Sequence, residues 1–383
     1  MPSTLPSCGP RVESNHEFIS ILRRTARSAH PGRTGALPSL QPEEVGDMDI
    51  RTVPPVAPTS APVPTTIETA AIVGRAAPPR RRIPGTELEV FPTAMSGKHF
   101  GGSVSDTAVG EILDAYTALG GNMIDTADAY GEGRSEQLIG DWMRRRGNRD
   151  RIVVATKVGK SLAHPGLSAP AITAAVDDSL RRLGTDRIEL LYLHIDDTEV
   201  PFEETLLAVD ALIRRGKVLT FGMSDHTGNR LLAARVACGL LGVAPMTALQ
   251  NEYSLVHRAG YEGDLARVAA QQGLAVMPRF PLAGGFLTGE YRTRSDLARS
   301  HAAAYIAPHL GRRGRRVLAV LERVAAEADA SMTGVALAWL LSRPGVVAPV
   351  VEVSSADQLF DVMSAPDIRL TRHQLSALDR ASS

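Results

Sequence analysis

The sequence predicts an α/β protein, a closed (β/α)8 TIM barrel, on three observations. Short apolar runs recur along the chain, as is typical of strands buried on both faces of a parallel sheet. Segments with apolar residues at helical spacing separate these runs. Three successive runs end at a residue suited to chemistry, namely Asp125, Lys157 and His194. In a closed barrel the carboxyl ends of all strands meet at one rim, where barrel enzymes place their active sites.

Eight strands are predicted in chain order. The runs Ile152–Thr156 and Ile188–Leu193 show the pattern most clearly, because they are short, mostly apolar and stop at Lys157 and His194. No shorter repeat accounts for the chain better, so one barrel is favoured over two domains. The predicted strands are Glu89–Ser96, the run that stops at Asp125, Ile152–Thr156, Ile188–Leu193, Val218–Met223, Met246–Leu249, Leu274–Met277 and Val346–Val350.

Helices are predicted between the strands from apolar residues at helical spacing. After the first strand, Val109, Ile112 and Tyr116 fall on one face of such a segment. The segment Phe202–Arg214 is followed by Gly216, which is typical of a helix end. The predicted helices are Asp106–Leu119, Gly133–Arg146, Ala169–Leu183, Phe202–Arg214, one through Leu241, one over about Tyr261–Gln272, a seventh after Gly311, Ala356–Met363 and Thr371–Ala381.

Residues 1–85 differ in composition from the rest of the chain. They hold 14 of the 25 prolines and one aromatic residue, Phe18. Such a segment cannot bury enough apolar surface to offset its ordering entropy. We therefore expect a disordered Pro-rich extension over 1–85 and a barrel domain over 86–383, with Arg80–Arg82 as solvated tail charges. Two alternatives stay open: Met48 as the true start, and Arg11–Arg33 as part of a transit peptide.

Composition narrows the class of protein. With 383 residues and 44% hydrophobic content, the chain can bury a large core. A formal net charge of zero does not indicate a nucleic acid or an anionic membrane as partner. Two cysteines, Cys8 and Cys238, indicate a reducing compartment, and no apolar run approaches the ~20 residues of a membrane span. We expect a soluble cytoplasmic protein that acts on a small molecule, and no histidine spacing predicts a metal site.

The residues at the strand ends predict proton transfer to a carbonyl. A tyrosine has a reference pKa of about 10, and a nearby lysine cation held by an aspartate lowers that pKa. Tyr130 follows Asp125 by five residues, next to the strand that ends at Lys157. His194 could orient a carbonyl oxygen. No side chain carries a hydride, so a nicotinamide or flavin is implied. Asp125 and Lys157 alone would also fit a structural ion pair.

From about Thr86 onward the chain resembles an aldo-keto reductase of the NADPH-dependent (β/α)8 barrel superfamily. The segment from Gly121 to Gly131, with Ser135-Glu136, is similar to the signature around the catalytic Asp and Tyr of the family. The segments 155–159 and 191–194 resemble its lysine and histidine motifs. The resemblance implies that Tyr130 is the proton donor, that Lys157 and Asp125 tune it, and that His194 orients the carbonyl.

The resemblance also implies NADPH as cofactor, with NADH as an alternative. Residues after strands five and six would hold the nicotinamide carboxamide, and Arg279 would lie against the nicotinamide face. The loop 281–291 would follow the pyrophosphate, and the segment 354–362 would hold the adenine end. The implied cofactor residues are Ser224, Asp225, Gln250, Arg279, Leu282, Leu287, Gly289, Ser354, Gln358 and Asp361.

Several of these positions depart from the pattern of the family. Asp225 stands where the family has Asn, and Arg279 where an aromatic ring is usual. Glu290 replaces a Lys, which should weaken phosphate binding unless Arg292 or Arg294 compensates, and Val362 stands where Asn is common. These departures weaken the expectation of tight NADPH binding.

We therefore predict an enzyme that reduces an aldehyde or ketone to an alcohol with NAD(P)H. The loops 161–169 and 292–311 should select the substrate, and the low aromatic content, 4%, favours a polar one such as a keto sugar over a flat natural-product carbonyl. The alternative is a nucleotide-binding barrel with a regulatory or scaffolding role and little or no catalytic activity. The intact set of four polar residues favours the enzyme, and the altered cofactor positions favour the alternative.

Overall fold

A computed structural model describes residues 78–300 and 302–383. Eight strands form one sheet in chain order, except that the last strand lies beside the first, and every neighbouring pair is parallel. Parallel bridges Val276–Val346 and Arg279–Val350 join the two ends of this sheet, which confirms the predicted (β/α)8 barrel. The sheet strands are β3 (Ala94–Ser96), β4 (Met123–Asp125), β5 (Val153–Val158), β6 (Ile188–Leu193), β7 (Val218–Ser224), β8 (Ala248–Gln250), β9 (Ala275–Val276) and β10 (Val350–Val351).

Helices surround the barrel, and several begin at a hydroxyl residue. The side chains of Ser105, Ser168, Thr227, Ser331 and Thr371 each accept a hydrogen bond from a backbone N–H of the first turn, which stabilises the helix start. The helices are α1 (Asp106–Ala118), α2 (Arg134–Arg146), α3 (Ala169–Leu183), α4 (Phe202–Arg214), α5 (Gly228–Leu241), α6 (Asp264–Gln271), α7 (Ala303–Ile306), α8 (Arg312–Glu327), α9 (Met332–Leu341), α10 (Leu359–Ser364) and α11 (Arg372–Ser382).

A hairpin of β1 (Arg81–Arg82) and β2 (Glu89–Val90) precedes the barrel. Ile83 and Val90 are fully buried and pack in the same core cluster as Met123 and Val153, which begin two barrel strands. The hairpin therefore covers the amino-terminal end of the barrel, opposite the rim that carries the strand ends.

The first predicted strand, Glu89–Ser96, is in fact two strands with different partners. Pro92 stands between them and has no N–H to donate to a ladder, so pairing is interrupted there. β2 pairs antiparallel with β1, whereas β3 joins the barrel. In the same way, the predicted strand Val346–Val350 forms regular pairing only at Val350–Val351, beyond Pro349.

The predicted disorder of residues 1–77 lies outside the described residues. Within the described part, the chain is already ordered before the expected boundary at residue 86, since β1 starts at Arg81. The Arg81 guanidinium donates to the carbonyls of Val346 at 2.6 Å and Leu341 at 3.1 Å. The sequence predicted a solvated tail charge here, and this prediction is wrong for Arg81. Its side chain is part of the contact between the hairpin and the barrel.

One predicted helix after Gly311 is two helices, α8 and α9. Asp329 takes a left-handed φ of 48° between them, and Ser331 caps α9. Every residue of α9 from Thr333 to Leu341 is buried, so it lacks the one-sided apolar pattern on which the prediction of a surface helix depends. In the described part of the chain, no single helix meets the length and composition expected of a membrane span; α8 and α9 meet them only as a pair, bent by 94°.

Candidate active site

Three neighbouring strands and one loop bring the four predicted catalytic residues together. Asp125 ends β4, Lys157 lies near the end of β5, and His194 directly follows β6. The parallel register pairs Asp125 with Ala155 and Lys157 with Tyr192, so Lys157 and His194 each lie two positions beyond the residue that is paired with the preceding site residue. All three lie at or near the carboxyl ends of their strands, which is why they share one rim.

The loop that carries Tyr130 continues the backbone ladder beyond β4. The N–H groups of Thr126 and Asp128 donate to the carbonyls of Ala155 at 2.8 Å and Lys157 at 3.0 Å. After Tyr130, Gly131 takes a left-handed φ of 55°, which lets the chain turn sharply into α2. Tyr130 is thus held over the end of the neighbouring strand and does not extend into solvent.

Lys157 is the centre of the site. Its ammonium is buried, with a side-chain exposure of 1%, and it donates to the Asp125 carboxylate, which is equally buried. It also donates to the carbonyl oxygen of Thr126 at 2.8 Å and to the Tyr130 hydroxyl at 3.5 Å. The second Asp125 oxygen accepts from the Gln250 amide at 2.8 Å. The lysine is therefore held between a carboxylate behind it and a phenol in front of it.

Electrostatics within this chain of contacts keep the lysine charged. Burial disfavours the ammonium, but Asp125 and Tyr130 outweigh this effect, and the pKa of Lys157 is raised. For Tyr130, burial is also the largest effect and raises the pKa, while Lys157 opposes the rise. The sequence argument expected a lowered tyrosine pKa, because the pattern shows the lysine but not the extent to which the phenol is removed from water. Tyr130 is thus fully protonated near neutral pH.

His194 is neutral. Burial and then Lys157 lower its pKa to about 2, so its imidazole carries one N–H donor and one acceptor nitrogen. Its Nδ1 has no hydrogen-bond partner within the described residues. The Tyr130 and His194 rings meet edge to face with centroids 6.0 Å apart. A carbonyl oxygen placed between these two side chains could accept hydrogen bonds from both.

A buried polar cluster supports the loop from behind. Glu136 is fully buried and accepts from the Thr156 hydroxyl at 2.6 Å and from Arg182 Nε at 2.7 Å. The hydroxyls of Thr126 and Ser135 lie 2.8 Å apart. Ser135 and Glu136, which belong to the signature in the sequence, therefore position the loop and do not face the reacting groups.

Three of the four catalytic candidates line a cavity of about 270 Å³ at the carboxyl rim, and Lys157 lies beneath them. Asp225, Gln250 and Arg279 line the same cavity. Arg279 donates to Asp225 at 2.9 and 3.2 Å, and the Lys160 ammonium lies 3.6 Å from the other Asp225 oxygen. The two departures that the sequence showed as separate, Asp225 and Arg279, thus form one ion pair, and the added negative charge is compensated.

A groove of about 230 Å³ adjoins this cavity, and the two share Phe280 and Glu352 as lining residues. Its walls come from the loop after β9 and from the segment after β10. Gly284 and Gly285 take left-handed φ of 66° and 98° on one wall, so the backbone of that loop faces the groove without side chains. Of the residues expected to bind the cofactor, four line the groove: Leu282, Ser354, Gln358 and Asp361.

Three expected cofactor residues line neither cavity. Ser224 is buried at the end of β7, Leu287 is fully buried in the core, and Gly289 ends the glycine-rich turn with a φ of 85°. Their expected roles remain predictions. The groove and the cavity share Phe280 and Glu352 as lining residues, and Tyr130 lines the cavity, so a ligand that occupied both would have one end beside Tyr130.

Sequence reasoning missed four residues at the junction of cavity and groove, namely Lys98, His99, Phe280 and Glu352. Phe280 directly follows Arg279 and is the aromatic ring shared by both spaces; the Lys98 ammonium lies 4.0 Å from its centroid. Glu352 accepts from His99 at 2.9 Å and pairs with Lys98 at 3.3 Å. An aromatic residue next to Arg279 was the available signal for Phe280. Nothing in the sequence pairs Glu352 with His99, which lies 253 positions before it. No group of three potential metal ligands occurs in the part of the chain that the structure describes.

The barrel fold and the matches to known proteins identify the chain as an NAD(P)H oxidoreductase. Residues 93–383 match the model of the aldo/keto reductase family, and the chain belongs to that family. It is 30% identical over 326 residues to an aryl-alcohol dehydrogenase [NADP(+)] of Phanerodontia chrysosporium, covering 78% of this chain and 84% of the relative. It is 32% identical over 295 residues to aldo-keto reductase ausK of Emericella nidulans, covering 73% of each. It is 30% identical over 320 residues to norsolorinic acid reductase B of Aspergillus parasiticus, covering 79% and 83%.

Proposed function

We propose that this protein reduces an aldehyde or ketone to an alcohol, with Tyr130 as the proton donor. The observation that carries the proposal is the contact of the Tyr130 hydroxyl with the buried Lys157 ammonium, beside the neutral His194. A reduced nicotinamide, when bound, supplies the hydride to the carbonyl carbon. NADPH was the first expectation from the sequence and NADH the alternative, and both fit this general role.

Residues of the chain then bind the carbonyl oxygen and protonate it. Tyr130 and His194 donate hydrogen bonds to it, which orients the substrate and stabilises the negative charge that develops on oxygen. Tyr130 passes its proton to that oxygen, and the ammonium of Lys157 stabilises the phenolate that remains. Asp125 keeps Lys157 charged and fixed, so it acts through the lysine and does not contact the substrate.

The rim of the cavity supports a polar substrate. Lys98, Lys160, Arg279, Asp225 and Glu352 all line it, so a carbonyl compound with hydroxyl groups would find partners there. This agrees with the keto sugar expected from the sequence. The names of the relatives, an aryl-alcohol dehydrogenase and norsolorinic acid reductase B, add aromatic and natural-product carbonyls to the candidates. A cytoplasmic location and the absence of nucleic-acid and membrane partners remain predictions.

The test is a turnover assay on the full chain. An aromatic aldehyde, a keto sugar and a short aliphatic aldehyde would each be mixed with NADH and with NADPH, and coenzyme absorbance followed. We expect coenzyme oxidation with at least one carbonyl. The alternative, a regulatory or scaffolding barrel, is favoured by the engagement of Gln250 with Asp125 and of Asp225 with Arg279. Coenzyme binding without turnover of any carbonyl would support that alternative, and failure to bind either coenzyme would contradict both.

A further inference from the structure

The groove beside the catalytic cavity has an unusual charge pattern for a site that is to hold phosphates. Among the described side chains that line it, the charged ones are the carboxylates of Glu290, Glu352 and Asp361, and none is a lysine or arginine. The one basic group is His99, which is already bound to Glu352 at 2.9 Å. The groove therefore presents negative charge to any ligand that enters it.

Glu352 is ionised, and Lys98 and His99 are its polar partners. Burial opposes ionisation, but His99 and Lys98 together lower the pKa of this carboxyl below its ordinary value. Lys98 lies 3.3 Å from the carboxylate and stacks on the Phe280 ring. At this junction of groove and cavity, the charges of Lys98 and Glu352 offset each other and leave little positive potential for an added phosphate.

Glu290 and Asp361 have no such compensation. Within the described residues neither carboxylate makes an ion pair or a side-chain hydrogen bond, although both line the groove. Arg292, which the sequence offered as a substitute for the usual lysine, donates instead to Glu322 at 2.8 and 3.1 Å and to the Gly289 carbonyl at 2.9 Å. Arg292 is thus already paired with an acid outside the groove lining.

These observations bear on which coenzyme fits. NADPH differs from NADH by a ribose 2′-phosphate, which brings close to two further negative charges at neutral pH. In Rossmann-fold dinucleotide sites an acidic side chain accepts a hydrogen bond from the ribose 2′-hydroxyl, and an arginine binds a 2′-phosphate. The same charge argument applies to Asp361 in this groove, because a carboxylate can accept from a hydroxyl but repels a phosphate.

We propose that this site takes NADH in preference to NADPH, because the described lining of its groove offers carboxylates to a ribose 2′-hydroxyl and no lysine or arginine to a 2′-phosphate. The inference rests on the proposed function, since it concerns the coenzyme of that same site. It departs from the NADP(+) in the name of the Phanerodontia chrysosporium relative. It also departs from the first expectation from the sequence, NADPH.

The experiment measures affinity, so it does not depend on finding the substrate. The full chain is titrated with NADH and with NADPH, and nicotinamide fluorescence gives each Kd. We expect NADH to bind on the order of tenfold more tightly than NADPH at low salt, and the ratio to shrink as salt screens the repulsion. Equal or tighter NADPH binding would overturn this inference and leave the proposed function standing. Binding of neither coenzyme would overturn the proposed function itself.

Two substitutions assign the preference to residues. Each substitution should reduce the preference for NADH over NADPH several-fold. Glu290→Lys adds a cation to the groove, and Asp361→Asn removes a carboxylate charge from it. Glu87→Lys is the control, since Glu87 is 94% exposed in the segment between β1 and β2, at the other end of the barrel. It should leave the ratio unchanged. An unchanged ratio in both groove variants would contradict the assignment to these carboxylates.

Discussion

Removal of the Asp125 charge should destabilise the whole barrel, and the cost follows from the contacts of Lys157. In Asp125→Asn the ammonium stays buried, with a side-chain exposure of 1%, and loses its charged partner, while the neutral Thr126 carbonyl at 2.8 Å and the Tyr130 hydroxyl at 3.5 Å remain. The single amide oxygen could accept from Lys157 or from Gln250, but its NH2 group would face the other donor. Loss of one partner from a buried pair costs about 3–5 kcal/mol.

That loss is a large fraction of the 5–15 kcal/mol typical of a folded protein, so it is easily measured. The assay is urea unfolding of the full chain, followed by tryptophan fluorescence. The double variant Asp125→Asn with Lys157→Met should regain much of the lost stability, because the uncompensated charge is gone. Asp186→Asn, at a side chain with 88% exposure, is the matched control and should change the free energy of unfolding little. A loss under about 1 kcal/mol in Asp125→Asn, or no recovery in the double variant, would refute the reasoning.

Three further outcomes are expected. Because burial lowers the pKa of His194 to about 2, kcat/KM for carbonyl reduction should show no inflection near pH 6.5. An inflection near pH 6.5 in the wild type that disappears in His194→Asn would contradict this expectation. Burial raises the pKa of Asp128 to about 7 in the folded protein. As pH rises, this carboxyl loses its proton in the unfolded state before it does so in the folded state, so the free energy of unfolding should fall between about pH 4 and pH 7. The free energy of unfolding of Asp128→Asn minus that of the wild type should therefore be about 1–4 kcal/mol larger at pH 8 than at pH 5. The same difference at both pH values would refute this expectation. Gly140→Ala would place a methyl group 2.5 Å from the Leu183 carbonyl oxygen and should cost about 1–3 kcal/mol, whereas Gly110→Ala, with open space around it, should be neutral or stabilising in the same unfolding assay.

The barrel and its four central residues could be predicted because both depend on local patterns. Short apolar runs mark strands that are buried on both faces, and the parallel arrangement then places Asp125, Lys157 and His194 on one rim without further information. The loop that carries Tyr130 is bound to its neighbouring strand through backbone groups, so it too follows from the spacing in the sequence. Where proline interrupts pairing, at Pro92 and Pro349, the predicted strands were too long.

Pairings between distant positions could not be predicted from a single sequence. Asp225 and Arg279 each departed from the expected residue type, and only the structure shows that they lie 2.9 Å apart and compensate one another. Glu352 similarly meets Lys98 and His99 across the barrel closure. The pKa of Tyr130 was predicted in the wrong direction, because the sequence identifies charged neighbours but does not report how completely a side chain is removed from water.

The comparison of Tyr130→Phe with the wild type tests the central claim most directly. Tyr261→Phe serves as the control, because Tyr261 is equally an aromatic hydroxyl but packs on Tyr253, away from the site. With a carbonyl that the wild type reduces, Tyr130→Phe should lower kcat by about 10²–10⁴-fold, while the Kd of the coenzyme and the activity of Tyr261→Phe stay close to wild type. A Tyr130→Phe enzyme that keeps its kcat would show that the proton comes from another group.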